Sequence, residues 1–425
     1  MSAELKKLNV FYEEFKVGEL TCDTNLMYSF SYDRSWLKSP KRFQLSLAMP
    51  LQEEAFSNRI TLSFFENLLP EGEVRKVLGR SYHIESPFEF LQEFGSDCAG
   101  AVIISDEEKS PFTEVKEGEI QIQMEQIYKA IEEKRSVVEV IAELDSGYLS
   151  LAGAQDKFPA IYRAGKFYLP IHGAPTTHIV KVPIDRLGVK ESVYNEYYCM
   201  KLAKAVGLNV PECFVWEEGN QPLFVIERYD RFEDKGGVTH RVHQQDFCQA
   251  QGIVSQEKYE AKGGPTIKDN YQLIMENVWI QKRKSHTFLF LDWICFNLLI
   301  GNNDSHSKNL SLLLKDGKNK LAPFYDLLCT AIYPQLKRQF SFKVGDRNDA
   351  SRIGKNQLDQ LDELLGLKKG TMVERILLMR NKLIENKDIV VEKIMVAHPK
   401  IKIAKRISDL IEDRCKSLER QGITG

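Results

Sequence analysis

The rhythm of apolar and polar positions changes twice along the chain. In the first hundred residues "LNVFYEEFKVGEL" alternates and predicts a β-hairpin turning near residues 16–18. "TLSFFENLLPEGEVRKVLGR" and "SPFEFLQEFGSDCAGAVII" have helical spacing, the second passing into a strand through Gly100. The polar "SDEEKSPFTEVKEGE" predicts a loop, and "IQMEQIYKAIEEKRS" a helix. From Ser150 short strands take over, in "KFPAIYR", "KFYLPI", "THIVKVPI", "CFVWEE" and "PLFVIERY". One helix, "SVYNEYYCMKLAKAVGL", lies among them and closes near Gly207. Beyond about residue 240 helices dominate, in "NYQLIMENVWIQ", "FLFLDWICFNLLIG", "NQLDQLDELLGL", "MVERILLMRNKLIE" and "IAKRISDLIEDRCKSLER". The expected class is α+β, with an α+β subdomain over 1–110, a small strand-rich lobe over 111–235 and a helical lobe over 236–425.

Composition narrows this little. A chain of 425 residues exceeds one hydrophobic core. With 43% hydrophobic and 28% charged residues it is ordinary folded protein, and a net charge of −2 gives no global attraction to nucleic acid. The eight cysteines are scattered, with no CxxC pair, and read as reduced core thiols. The apolar run "FLFLDWICFNLLIG" is too short to span a bilayer, and the alternating N-terminal stretch lacks an apolar signal region, so a cytoplasmic location is expected.

Chemistry concentrates where that apolar run ends. After Gly301 the loop reads "NNDSHSKN", with Asp304 five positions before Asn309, the spacing of base and metal-binding amide in protein-kinase catalytic loops. In that role Asp304 accepts or orients the proton of an attacking hydroxyl. Asn309 offers a neutral oxygen to magnesium, a hard ion that takes oxygen ligands. Asp326, after the strand-like "NKLAPFY", supplies a charged ligand. The spacing alone also fits a solvated loop with a capping Asp. Upstream, Lys181 sits in the alternating "HIVKVPI", ahead of a helix bearing Glu191 and Glu196. Kinases pair such a lysine with a helical Glu, and Glu196 is the first choice, Glu191 the second. "SGYLSLAGAQDKF" has neither GxGxxG nor GxxxxGK[ST]. Its small residues Ala152, Gly153 and Ala154 still let backbone N–H groups approach phosphate, with Gln155 and Lys157 as added donors; a tight turn between strands has the same look. His240 and His243 lack a third ligand at suitable spacing, so no zinc site is expected there.

Taken in order, "SLAGAQDKF", "PTTHIVKVP", "NEYYCMKLAKAVGLNVP", "VIERYDR", "HQQDFCQ", "KYEAKGGP", "IGNNDSHSKNLSL" and "PFYDL" resemble HipA-type bacterial serine/threonine kinases. "LSLAMPL", "FFENLLPEG" and "FGSDCAGAV" are similar to that family's N-terminal subdomain. The resemblance runs from near residue 8 to about 345; the last helices match in kind more than in residues. It implies a two-lobed kinase-like fold, ATP with Mg2+, and phosphorylation of serine or threonine. Carried position by position, it makes Asp304 the catalytic aspartate, Asn309 and Asp326 the metal ligands, and Lys181 the phosphate-gripping lysine. It also makes Ala152, Gly153, Ala154, Gln155, Asp156 and Lys157 the phosphate loop, and Glu227, Arg228 and Tyr229 the hinge presenting backbone groups to adenine. His306, Ser307 and Lys308, with Asn309, Tyr325 and Asp326, then line the nucleotide site. Ser150 stands at the family's autophosphorylated serine, where an added phosphate would repel ATP and act as an off-switch.

The resemblance further implies a HipB-like helix-turn-helix antitoxin, operator DNA bound through the complex, and an aminoacyl-tRNA synthetase as substrate. Direct DNA contact by Lys368, Arg375, Arg380, Lys400, Lys402, Lys405 and Arg406 competes with a solvated helical face, which the intervening acids favour. The alternatives to a protein kinase are a small-molecule phosphotransferase of related fold and a non-catalytic operon corepressor.

Overall fold

The N-terminal alternation folds into an antiparallel sheet ordered Tyr28–Tyr32, Phe15–Cys22, Lys6–Tyr12, Ile103–Ser105. The computed structural model describes residues 5–111, 118–144, 153, 155–170, 174–219, 221–315 and 317–424. The hairpin turns at residues 13 and 14, with Glu13 at φ 50°, and not at residues 16–18 as the glycine suggested. Gly18 lies inside the strand opposite Val10 and Tyr32, where a Cβ would fall 2.3 Å from Ser31 O. Close approach, not a turn, requires the glycine. Pro70 splits the long helical stretch into Asn58–Phe65 and Gly72–Tyr82, because proline lacks the N–H a helix interior needs. Pro70 instead forms a bridge with Gly153, and Glu71 N–H donates to Gly153 O at 2.9 Å.

These elements belong to the first of two units, made of Met1–Val182, Trp216–Ser255 and Leu313–Gly317. The same unit holds a second antiparallel sheet, in which Glu119–Gln121, Lys166–Pro170, Lys157–Arg163, His178–Lys181 and Leu223–Glu227 follow one another. A buried ion cluster ties together its distant segments. Arg228 donates to Asp97 Oδ2 (2.9 Å) and to both oxygens of Asp230 (3.1 and 3.0 Å). Arg231 and Arg241 reach Asp97 Oδ1 at 2.8 and 3.1 Å, and Gly100 N–H reaches Asp230 Oδ2 at 2.7 Å. Burial alone would raise the Asp97 carboxyl; the three guanidiniums override that and hold it well below the usual carboxylate range.

The second unit comprises Pro183–Val215, Gln256–Leu312 and Lys318–Gly425. Its centre is the helix Ile280–Ile300, polar over its first turns and almost wholly buried from Phe290 to Ile300. Asp292 on this helix is held by Arg375. The helix Thr371–Ala397 buries Met372, Ile376, Met379, Leu383, Val390, Val391 and Ile394, a stripe recurring every three or four residues. Ile403–Arg420 does the same, and Lys387 is buried where it meets Glu412 and Ser408. All eight cysteines are buried thiols. Among the described residues no helix is long and apolar enough to cross a membrane.

His243 illustrates how burial fixes a charge state in the first unit. One ring nitrogen, Nε2, bonds Leu45 O at 2.8 Å and the ring stacks on Phe43 at 4.5 Å, so the neutral form fits, and burial pulls its pKa down to about 4. The unfolded chain takes up this proton first, so stability from His243 is complete above its ordinary pKa of 6.5 and declines as pH falls toward 4. His243→Gln is expected to flatten the acid side of a stability–pH curve by up to about 1.4 kcal/mol per pH unit. Asp97→Ala strips the shared counter-charge from three buried arginines and is expected to cost about 3–5 kcal/mol, read by urea unfolding.

Candidate active site

The helix Ile280–Ile300 stops at Gly301, in the left-handed region at φ 76°, where a Cβ would lie 2.8 Å from Ala331 Cβ. The loop that follows is polar and buried except for Asp304, which is exposed. Asn302, fully buried, organises it: its Nδ2 donates to Asn297 Oδ1 (2.8 Å) and Asp326 O (3.2 Å), while its Oδ1 accepts from Asp304 N–H (3.2 Å). Asn309 Nδ2 donates to Asp304 O at 3.1 Å, which turns its Oδ1 the other way. Asp326 is held at φ 55°, a conformation uncommon outside glycine. Crowding by protein raises the Asp304 carboxyl from its ordinary value, although the residue is open to solvent; the Tyr259 hydroxyl and Lys258 pull it down, and the charge of Asp326 pushes it up. The two carboxylates therefore feel each other.

Around them, Ser307 Oγ accepts from Asn270 (2.9 Å), and Tyr325 Oη donates to Lys308 O (2.8 Å) beside Ser311. His306 meets the Tyr259 ring edge-on at 4.9 Å. The structure thus gathers Asp304, His306, Ser307, Lys308, Asn309, Tyr325 and Asp326 in the second unit. Glu196 is buried on the helix Ser192–Ala205 of that unit, and Glu191 Oε1 accepts Lys402 N–H at 3.0 Å.

The remaining candidates lie in the first unit. Lys181 is buried at the end of its strand, in register with Lys157 and Phe224, its Nζ 5.8 Å from the Phe224 ring. Gly153 has φ 111°, and Gln155 Nε2 donates to Val182 O at 2.9 Å. Ser150, Ala152 and Ala154 lie outside the described residues. The Asp156 carboxylate accepts from Ser136 Oγ and Val137 N–H, both at 2.9 Å, so it caps the helix Val137–Leu144. Glu227 is exposed at a strand end; the Arg228 side chain belongs to the ion cluster and its N–H bonds Thr177 O, and Tyr229 Oη bonds Gln244. His240 pairs with Asp234. Among the basic candidates Arg375 holds Asp292 and Lys405 bridges Asp388 and Asp409; Lys368, Lys400 and Arg406 are exposed. No group of three or more His, Cys, Asp or Glu is arranged to hold a metal among the described residues. Asn302 and Tyr259 carried no sequence signal of their own, though both fall within motifs already singled out.

The fold is kinase-like, a mixed architecture of helix and sheet whose acidic loop follows a buried helix. Comparison with known proteins settles the family. The HipA-like C-terminal domain matches residues 149–386 and the HipA N-terminal domain residues 8–105, and the chain belongs to the HipA family of kinases. It is 37% identical to the candidate kinase Y4mE of Sinorhizobium fredii, over 81% of this chain and 82% of that protein. It is 28% identical to the serine/threonine-protein kinase toxin HipA of Shewanella oneidensis, over 88% and 87%. A solved Shewanella oneidensis MR-1 complex of HipA, HipB and operator DNA shares the fold, with TM-score 0.82, 24% identity and 97% of each chain covered.

Replacing Asn302 removes a hub and takes away the bonds it makes to Asn297 Oδ1, Asp304 N–H and Asp326 O. Asn302→Ala is expected to cost about 1–3 kcal/mol by thermal or urea unfolding. An unfolding curve superimposable on that of the unaltered protein would contradict this role.

Proposed function

We propose that this protein is an ATP- and magnesium-dependent serine/threonine protein kinase acting as the toxin of a type II toxin–antitoxin pair. The observation that carries the reading is that Asn302 ties the backbones of Asp304 and Asp326 together, with the Asp326 charge acting on the Asp304 carboxyl and the Asn309 oxygen turned away from Asp304 O. The donor set fits magnesium: one carboxylate and one amide oxygen, Asp326 and Asn309, are hard ligands, and such an ion ordinarily completes its shell with phosphate oxygens and water. When bound, the ion neutralises charge on the transferring phosphoryl group. Asp304 orients the acceptor hydroxyl and takes its proton. In the first unit Lys181, Gln155 and Lys157 are assigned to the nucleotide phosphates, with the backbone from Ala152 to Ala154. The backbone of Glu227 to Tyr229 is assigned to adenine, since the Arg228 side chain is engaged elsewhere. The resemblance supports autophosphorylation at Ser150 as the off-switch and an aminoacyl-tRNA synthetase as target. A DNA-binding antitoxin partner and shared repression of the operon are supported by the HipA–HipB–operator complex of the structural relative.

Asp304→Asn and Asp326→Asn are each expected to lower transfer from labelled ATP by at least about a hundredfold while leaving the unfolding midpoint unchanged. Phosphoproteomics after brief induction, set against the Asp304→Asn chain, names the target and reports on Ser150. Undiminished labelling by a folded Asp304→Asn, Asp326→Asn double variant would defeat the reading.

A further inference from the structure

A kinase base must hold the hydrogen of an acceptor hydroxyl, and in this structure Asp304 already holds one. Tyr259 Oη donates to Asp304 Oδ1 at 2.7 Å. The segment that carries Tyr259 is shaped to deliver it. Gly264 folds back so that its N–H bonds Tyr259 O at 3.0 Å, and a Cβ there would lie 1.9 Å from Glu257 O. Glu260 anchors the other side by accepting Lys343 N–H at 2.8 Å, and Pro265 O accepts from Ser307 Oγ at 3.5 Å. The ring rests edge-on against His306, so the phenol is positioned by packing as well as by its hydrogen bond.

Three cations surround that ring. The Nζ atoms of Lys337, Lys258 and Lys262 lie 5.1, 5.6 and 6.0 Å from its centroid. Lys262 and Lys337 are exposed, and Lys337 comes from a different segment, tied to the catalytic loop where Asn303 Nδ2 donates to Lys337 O at 3.0 Å. Positive charge thus converges from two directions on the spot where a hydroxyl meets the base.

We infer that the Tyr259 hydroxyl marks the acceptor subsite, that it competes with the substrate hydroxyl for Asp304, and that the lysines around it select acceptors flanked by acidic residues. The inference deepens the kinase reading and rests on Asp304 being the catalytic carboxylate. In the transfer step the acceptor oxygen forms a bond to the γ-phosphorus as the bond to the β,γ-bridging oxygen breaks. The acceptor proton passes to Asp304, and ADP leaves. For a peptide hydroxyl to take that position Tyr259 must withdraw; aspartate or glutamate on either side of the hydroxyl then replaces the aromatic face as the company of the three ammonium groups.

The test uses the full chain, ATP with magnesium, and three peptides that differ only in acidic, neutral or basic residues around one serine. The acidic peptide is expected to have a KM about tenfold below the neutral one, an advantage that shrinks with added salt. Lys262→Gln combined with Lys337→Gln is expected to erase the preference. Tyr259→Phe keeps the ring and removes the competing hydroxyl, so it is expected to lower KM a few-fold for all three peptides without lowering kcat. A preference that is absent, reversed or retained in the lysine variant overturns the subsite, as does a Tyr259→Phe chain with lower kcat. If the chain labels itself or a protein acceptor while showing no such preference, only the subsite falls. If nothing is labelled in any arm, the kinase reading falls with it.

Discussion

The buried amide of Asn302 is the constraint on which the acidic loop after Gly301 depends. A side chain with two donors and one acceptor oxygen touches the end of the helix Ile280–Ile300, the backbone N–H of Asp304 and the carbonyl of Asp326. Burying such a group costs free energy unless each site is satisfied, so the bonds act together or not at all. The consequence is geometric. Two acids separated by 22 positions in sequence are referred to one atom group, and that group is referred to a rigid helix whose last eleven residues are nearly all inaccessible. The left-handed backbone of Asp326 is a strain of the kind that persists where surroundings over-determine it, and Asn302 is one of those surroundings.

The first unit solves a similar problem with full charges. Asp97, Asp230 and three arginines are buried together, joining residues more than 130 positions apart. Such clusters are poor sources of net stability, because desolvation offsets much of the attraction. Their value is specificity of arrangement. A misplaced segment would leave an unpaired buried charge, so the loop at Asp97 to Gly100 and the strand exit at Arg228 to Arg231 accept one relative position.

Much of this architecture was legible in the sequence. The strands of the second sheet other than Glu119–Gln121, the helix ending near Gly207 and the apolar helix before Gly301 follow from periodicity and glycine placement, since burial of one face is a local property of the pattern. What escaped was non-local. Gly18 read as a turn because its role, making room for Phe30, depends on another strand. The resemblance assigns only the backbone of Arg228 to adenine and says nothing of its side chain, which the ion cluster engages through Asp97, far away along the chain. The Asp156 carboxylate caps a helix that begins 19 residues earlier, a contact that its own loop does not announce. Asn302 and Tyr259 were visible only as letters inside motifs, since nothing in a sequence says which atom an amide or a phenol will meet.

The electrostatics of the acidic loop make one further step. Asp304 is raised first by crowding and then by Asp326, while Tyr259, Lys258 and Lys337 act in the opposite direction. A carboxyl held between these influences is sensitive to any change in its neighbours. A cation brought to Asp326 and Asn309 would cancel the repulsion from Asp326 and favour the ionised Asp304, the form able to receive a proton. Withdrawal of Tyr259 would do the reverse by removing a donor, until an acceptor hydroxyl supplied another. On the kinase reading a metal and a donated hydroxyl would each favour the ionised form of Asp304, and in this structure the Tyr259 phenol is such a donor.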